Sequence, residues 1–326
     1  MASRRGFLLA AIYGIVAASL PLAIWMLKPG KTKSAPVAPR PGQRFTASLA
    51  SAPFPYDGPT ADGNKPFYDA RDPRTRQRAH TTGDGTVLPE HPHYTDDRVL
   101  FHLSAGFDAS KPFEILVFFH GHGSEVERTV ARDFDLPGQI DASGRNMVLI
   151  APQLALEAPD SSPGKLGMPD GLKNLLDEAA ETLAQRTGGQ KDEQAFRRAP
   201  VILSAFSGGY RSVAFSLARG GLGTRIKGVL LLDAIYGDVK LFSQWILEHW
   251  HDGFFVSLYG PSTERWHEEL KTALLQRQRR PSPRLPARIR PGTQSLIPVQ
   301  TEHNDLPLQG PPTKPLLVML KRLRTK

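Results

Sequence analysis

Val201-Ile-Leu-Ser-Ala-Phe-Ser-Gly-Gly-Tyr210 passes from an apolar, β-branched start through a knot of small residues into a helical pattern that runs from Tyr210 to Arg219 and stops at Gly220-Gly221. The first part, Pro200 to Ser204, predicts a strand buried on both faces. The two flanks of Ser207 are small: Ala205 lies two residues before it and Gly209 two residues after. A sharp strand-to-helix turn requires this, because bulkier side chains there would collide with neighbouring backbone. Such a turn lifts Ser207 above the sheet edge at the start of a helix, where backbone N–H groups favour a developing anion. A Gly-rich turn with a helix-capping serine would look the same locally. The surrounding pattern therefore decides how the turn is read.

That pattern alternates apolar β runs with helical stretches from about Arg98 onward. Arg98 to Leu103, Phe113 to Phe119, Asn146 to Ala151, Ile226 to Leu232, Gly253 to Tyr259 and Gln294 to Gln300 read as strands. Gly171 to Gln185, Leu241 to Trp250, Thr263 to Arg280 and Lys314 to Leu323 read as helices. Alternation of this kind predicts an α/β protein, a mostly parallel, doubly wound sheet with helices on both faces. Pro298 is tolerable only on an edge strand, so the final strand is placed at an edge. No internal repeat is visible.

Between Arg98 and Leu323 the chain resembles the α/β-hydrolase superfamily. The likeness rests on His120-Gly-His-Gly123, Ala205-Phe-Ser-Gly-Gly209 and a late His303, in matching order. Ala205 departs from the usual Gly-x-Ser-x-Gly pattern by one methyl group. The resemblance implies Ser207 as nucleophile and an oxyanion hole made by the backbone N–H groups of Gly208 and His122. It also implies His303, in Thr301-Glu-His-Asn-Asp305, as the base that follows the last strand. The acid is assigned to Asp233, directly after the apolar run Leu230-Leu-Leu232, with Glu264 and Asp238 as the other candidates. A carboxylate at the end of such a run needs a partner, because its burial alone is costly. His120 and His122 lack a nearby carboxylate or third histidine at ligand spacing, so neither a metal nor a cofactor is expected.

The remaining features concern place and partners. The chain has 326 residues, no cysteine, a formal net charge of +9 and a pI of about 9.8. Thiol nucleophiles, thiolate metal sites and disulfides are thereby excluded. Ser3-Arg4-Arg5-Gly6-Phe7-Leu8 opens an apolar stretch reaching Leu27, which resembles a twin-arginine export signal retained as a membrane anchor. Residues 1–28 are therefore expected to anchor the chain. Residues 29–70, rich in Pro, Ala, Ser and Gly, are expected to act as a tether, and residues 71–326 to form the hydrolase domain.

These expectations place the domain outside the cytoplasm, on the periplasmic side of the inner membrane. The Pro-rich segment from Arg277 to Arg290 carries six arginines and is expected to face away from the site. It could dock on an anionic membrane or polymer surface. No nucleic-acid motif is present. The function expected is a carboxylic-ester hydrolase acting on a small-molecule or envelope ester. An amidase or peptidase of envelope material, or a non-catalytic binding protein on the same fold, is the alternative.

Overall fold

The computed structural model describes residues 41–63 and 65–324. Eight strands form the main sheet: β1 (Gln43–Ser48), β2 (Arg98–Leu103), β3 (Glu114–Phe119), β4 (Met147–Pro152), β5 (Val201–Phe206), β6 (Ile226–Leu232), β7 (Phe254–Tyr259) and β8 (Gln294–Pro298). Their spatial order is β1-β2-β4-β3-β5-β6-β7-β8. Only β2 runs against the others, pairing antiparallel with β1 and β4. This is the mostly parallel α/β sheet that the alternation of strands and helices predicts. Pro298 does sit on an edge strand, as its missing N–H requires.

Helices α1 (Leu136–Ser143), α2 (Gly171–Thr187), α3 (Gln190–Arg198), α4 (Tyr210–Arg219), α5 (Val239–Glu248), α6 (Glu264–Gln276) and α7 (Pro315–Arg322) cover the sheet. Successive strand residues point to opposite faces, so each central strand feeds two cores. Leu203 and Val117 pack with Leu172, Leu175, Val213, Phe242 and Leu270, on the side covered by α2 to α6. Ile202 and Leu116 pack with Leu136, Ile140, Leu316 and Met319, on the side of α1 and α7. Each such fully buried side chain stabilises the fold by roughly 1.5–3 kcal/mol. Helix α6 stops four residues short of the expected Arg280. Gln278 there has a φ of 59°, a left-handed conformation that ends the helix ahead of Pro281.

One sequence expectation needs correction. Residues 29–70 were expected to be a tether, but from residue 43 the chain belongs to the fold. Gln43–Ser48 pairs along the whole of β2, and the Phe45 ring stacks on Phe101 at 4.9 Å. Leu49, Ala52, Phe54 and Phe67 are then buried, the last two against Tyr94. An edge strand needs few apolar residues, and Pro and Gly on either side dominate the composition, so the strand leaves little trace in the sequence. The segment after β1 continues into a small antiparallel sheet of Ala70–Arg71, Arg78–Thr81 and Val87–Pro89. It is tied to the loop after β4, where Tyr94 donates to Asp160 at 3.0 Å and His80 meets Ser162 at 3.2 Å. The expected anchor, residues 1–28, lies outside the described residues. Among the described residues no helix is long and apolar enough to cross a membrane.

A chain beginning at residue 41 should keep its melting temperature, whereas one beginning at residue 49 should melt at least about 5 °C lower and aggregate. Removing β1 bares the edge of β2, where Val99, Phe101 and Leu103 are buried. Thermal unfolding with size-exclusion chromatography distinguishes the two; equal melting would refute the structural role of β1.

Candidate active site

Parallel strands end at a common edge, so the turns after β5, β6, β7 and β8 meet there, as ligand sites in open α/β sheets do. Ser207 follows β5 directly, ahead of α4. Its φ is +52°, a left-handed conformation that costs a residue with a Cβ about 1–2 kcal/mol. Glycines around it allow the close approach. A Cβ at Gly209 would run into the Phe119 carbonyl, and one at Gly121 would lie 2.8 Å from the Ser207 Cβ. The loop after β3 is thus pressed against the serine.

His303 arrives on the turn after β8 and lies flat on Phe206, ring centroids 4.7 Å apart. Its Nδ1 is 2.6 Å from Asp233 Oδ2, and its Nε2 is 2.8 Å from Ser207 Oγ. Asp233 follows β6 and is wholly buried, with φ +47°. Burial works against its charge, but hydrogen bonds from His303, Ser262, Thr263 and the Gly260 N–H outweigh it and hold the carboxyl at about 2. An ionised carboxylate only accepts. Nδ1 of His303 therefore carries the proton and donates to Asp233, which leaves Nε2 to accept from the Ser207 hydroxyl.

Three residues that support Asp233 are not evident in the sequence. Gly260 N–H donates at 2.9 Å and Ser262 Oγ at 2.5 Å, and the Thr263 hydroxyl donates as well. Tyr236 Oη donates to Ser262 Oγ at 3.1 Å and lies 3.2 Å from His303 Nδ1. Tyr236 also packs on Trp266. The hydroxyls of Ser262 and Thr263, just past the apolar run of β7, carry a faint signal: they occupy the same loop as the acid candidate Glu264. The other acid candidates stand elsewhere. Glu264 is exposed at the start of α6. Asp238 pairs with Arg211 at 3.2 Å, just before α5.

The two histidines after β3 have separate surroundings. His120 is buried, and its Nε2 accepts from the Leu154 N–H at 2.9 Å and faces the Gln153 amide at 2.9 Å. Its Nδ1 therefore holds the proton, donated to the Gly121 carbonyl at 2.8 Å. Burial lowers its pKa to about 4 and keeps the ring neutral. It pins the loop after β3 to the loop after β4. His122 projects outward, its ring over Gly208 and its Nε2 2.7 Å from Ser161 Oγ. Neither the His122 nor the Gly208 backbone N–H is hydrogen-bonded among the described residues. Both belong to segments packed against Ser207.

No family model matches the chain, and no curated protein matches it. Solved structures of serine hydrolases and esterases share its general course. Fluorophosphonate-binding serine hydrolase F of Staphylococcus aureus is 12% identical, with a TM-score of 0.45 over 86% of this chain and 99% of that one. A feruloyl esterase module from Clostridium thermocellum is 13% identical, with a TM-score of 0.44 over 85% of this chain and 95% of that one. S-formylglutathione hydrolase of Staphylococcus aureus is 12% identical, with a TM-score of 0.44 over 69% of this chain and 92% of that one.

The cradle of Asp233 has a consequence for acid stability. Its folded value of about 2 lies below the ordinary 3.8, so its contribution is complete above about pH 4 and is lost as pH falls through 2. The contribution is on the order of 2 kcal/mol. Urea unfolding between pH 2 and 5 should show a steeper loss in the wild type than in Asp233→Asn. Parallel curves would count against the cradle.

Proposed function

We propose that this chain is a serine hydrolase that cleaves carboxylic esters. The observation that carries the reading is the continuous hydrogen-bond relay from buried Asp233 through His303 to Ser207, whose backbone is held in a left-handed conformation. In the reaction, Ser207 Oγ attacks the ester carbonyl while His303 Nε2 takes its proton. The imidazolium that forms is stabilised by Asp233, and the backbone N–H groups of His122 and Gly208 receive the oxyanion. His303 then returns the proton to the departing alkoxide, leaving an acyl group on Ser207. Water, deprotonated by the same histidine, attacks that acyl group and restores the serine with release of the acid.

The surroundings favour a small or polar ester. Groups near the relay are His122, Ser161, Tyr236, Ser262 and Trp266, a mixed polar and aromatic set. Phe206 lies on His303 and Phe134 against Phe206, so the apolar contribution at the site is aromatic and compact, while the large apolar side chains standing well out among the described residues, Val87 and Leu275, belong to the small sheet and to the end of α6. The arginine pair and apolar stretch of residues 4–27 support export and retention at the inner membrane, with the domain on its outer side.

Fluorophosphonate labelling of wild type beside Ser207→Ala tests the nucleophile, and aryl esters of increasing chain length beside aryl amides test the substrate. Ser207→Ala should lose labelling and more than about 10⁴-fold of kcat/KM with its melting temperature unchanged. Short-chain esters should be cleaved fastest. Full turnover in Ser207→Ala would sink the reading, and amides cleaved as fast as esters would replace esterase with amidase.

A further inference from the structure

We propose that the amino edge of the sheet, opposite Ser207, is a docking face for an anionic lipid surface. It would hold the domain with its active site pointing away from the bilayer. The inference builds on the tethered reading above and adds an orientation to it.

Charge is distributed unevenly between the two edges. Loops at the carboxyl edge mix the two signs, with Glu125 paired to Arg98, Glu157 to Arg128 and Asp238 to Arg211. The connection from α6 to β8, which reaches the amino edge, has six arginines and no acidic residue between Gln276 and Gln300. Arg277, Arg280, Arg284, Arg288 and Arg290 are all exposed. Lys321 and Arg324 at the end of α7 join them, because the backbone of Ile289 bridges to Leu323 and its carbonyl accepts from the Arg324 N–H at 2.7 Å. None of these seven cations forms an ion pair with a carboxylate among the described residues. Lys227, exposed near the start of β6, extends the charge towards mid-sheet. An unneutralised cluster of this size costs self-repulsion that an anionic partner relieves.

The course of the chain adds a second, independent observation. Gln43, the first residue of β1, pairs with Leu103, which in turn pairs with Val148 near the start of β4. The chain therefore enters the fold at the amino edge, at the end of the sheet away from the arginines. Seven strand spacings of about 4.8 Å separate the two ends, roughly 34 Å. A tether at one end and a cationic cluster at the other provide two attachments, which fix an orientation where one alone leaves the domain free to tumble. From Leu27 to Pro41 the chain can reach at most about 50 Å, so an anchored domain meets lipid at high effective concentration. This nearness favours lipid head groups over a soluble acidic polymer. The attraction acts only at close contact, since screening leaves a range of about 8 Å at physiological salt.

The absence of cysteine makes single-site labelling clean. Ala287→Cys reports on the basic face without removing a charge, and Gly83→Cys, where a Cβ meets open space, reports on the opposite side. The full chain is reconstituted into vesicles of phosphatidylcholine alone or with about 30% phosphatidylglycerol, and each label is quenched by a head-group nitroxide. Flotation with neutral vesicles reports the anchor separately, so failure of the tether and failure of the face are told apart. The Ala287 label should be quenched at least about threefold more on anionic vesicles, with the contrast lost near 1 M salt, while the Gly83 label stays unquenched. Replacing Arg277, Arg280, Arg284, Arg288 and Arg290 with Gln should abolish the contrast and leave ester turnover unchanged. Equal quenching of Ala287 on both vesicle types, or quenching at Gly83 instead, overturns the proposal. So does an Ala287 label that ignores anionic vesicles but is shielded by soluble polyglutamate, which would assign the face to an acidic polymer.

Discussion

A carboxylate without access to water must be matched by donors, and Asp233 draws its donors from two other turns. Gly260, Ser262 and Thr263 come from the turn after β7, and His303 comes from the turn after β8. The charge thus ties the ends of three neighbouring strands together. Each lost donor would leave part of a buried charge unpaired, which is far costlier than losing an exposed ion pair. The geometry of His303 follows from this arrangement. The carboxylate can only accept, so it selects the imidazole tautomer and turns the basic nitrogen towards Ser207.

The serine is held by a different means. Its left-handed backbone persists because the strand behind it and the helix in front of it are both locked in the core: Leu203 and Val213 are fully buried. Gly209 and Gly121 then let β3 and its loop come within contact of the turn. Buried His120 secures that loop through three ring hydrogen bonds to backbone and amide groups, so it acts as a structural pin. Local strain at Ser207 is thus supported by the strand behind it, the helix ahead of it and the loop after β3, which is the condition for strain to survive at all.

Around this centre the two edges of the sheet have diverged. The carboxyl edge collects hydroxyls, aromatic rings and paired acids and bases, together with the N-terminal small sheet joined through Tyr94, Asp160, His80 and Ser162. The amino edge collects arginines and receives the incoming chain. A parallel sheet makes this separation possible, because every strand starts at one edge and ends at the other.

The order of strands and helices, the sharp turn at Ser207 and the late position of His303 were legible in the sequence, because each depends on contacts between residues close in the chain. Hydrophobic period, small flanking residues and a Gly-Gly stop are local signals. Asp233 was legible as a charge at the end of an apolar run, but that it, and not Glu264 or Asp238, contacts His303 shows only in space. All three are acids near strand ends, and only Asp233 meets the imidazole. The roles of Ser262, Thr263, Tyr236 and His120 were hidden for the same reason, since their partners lie elsewhere in the chain. Strand β1 was hidden differently: an edge strand is stabilised by pairing to β2, and backbone hydrogen bonds leave little mark on composition. The sequence by itself determined which elements form and in what order. Only the tertiary structure decided which side chains share a charge, because that is set by strand pairing across long separations.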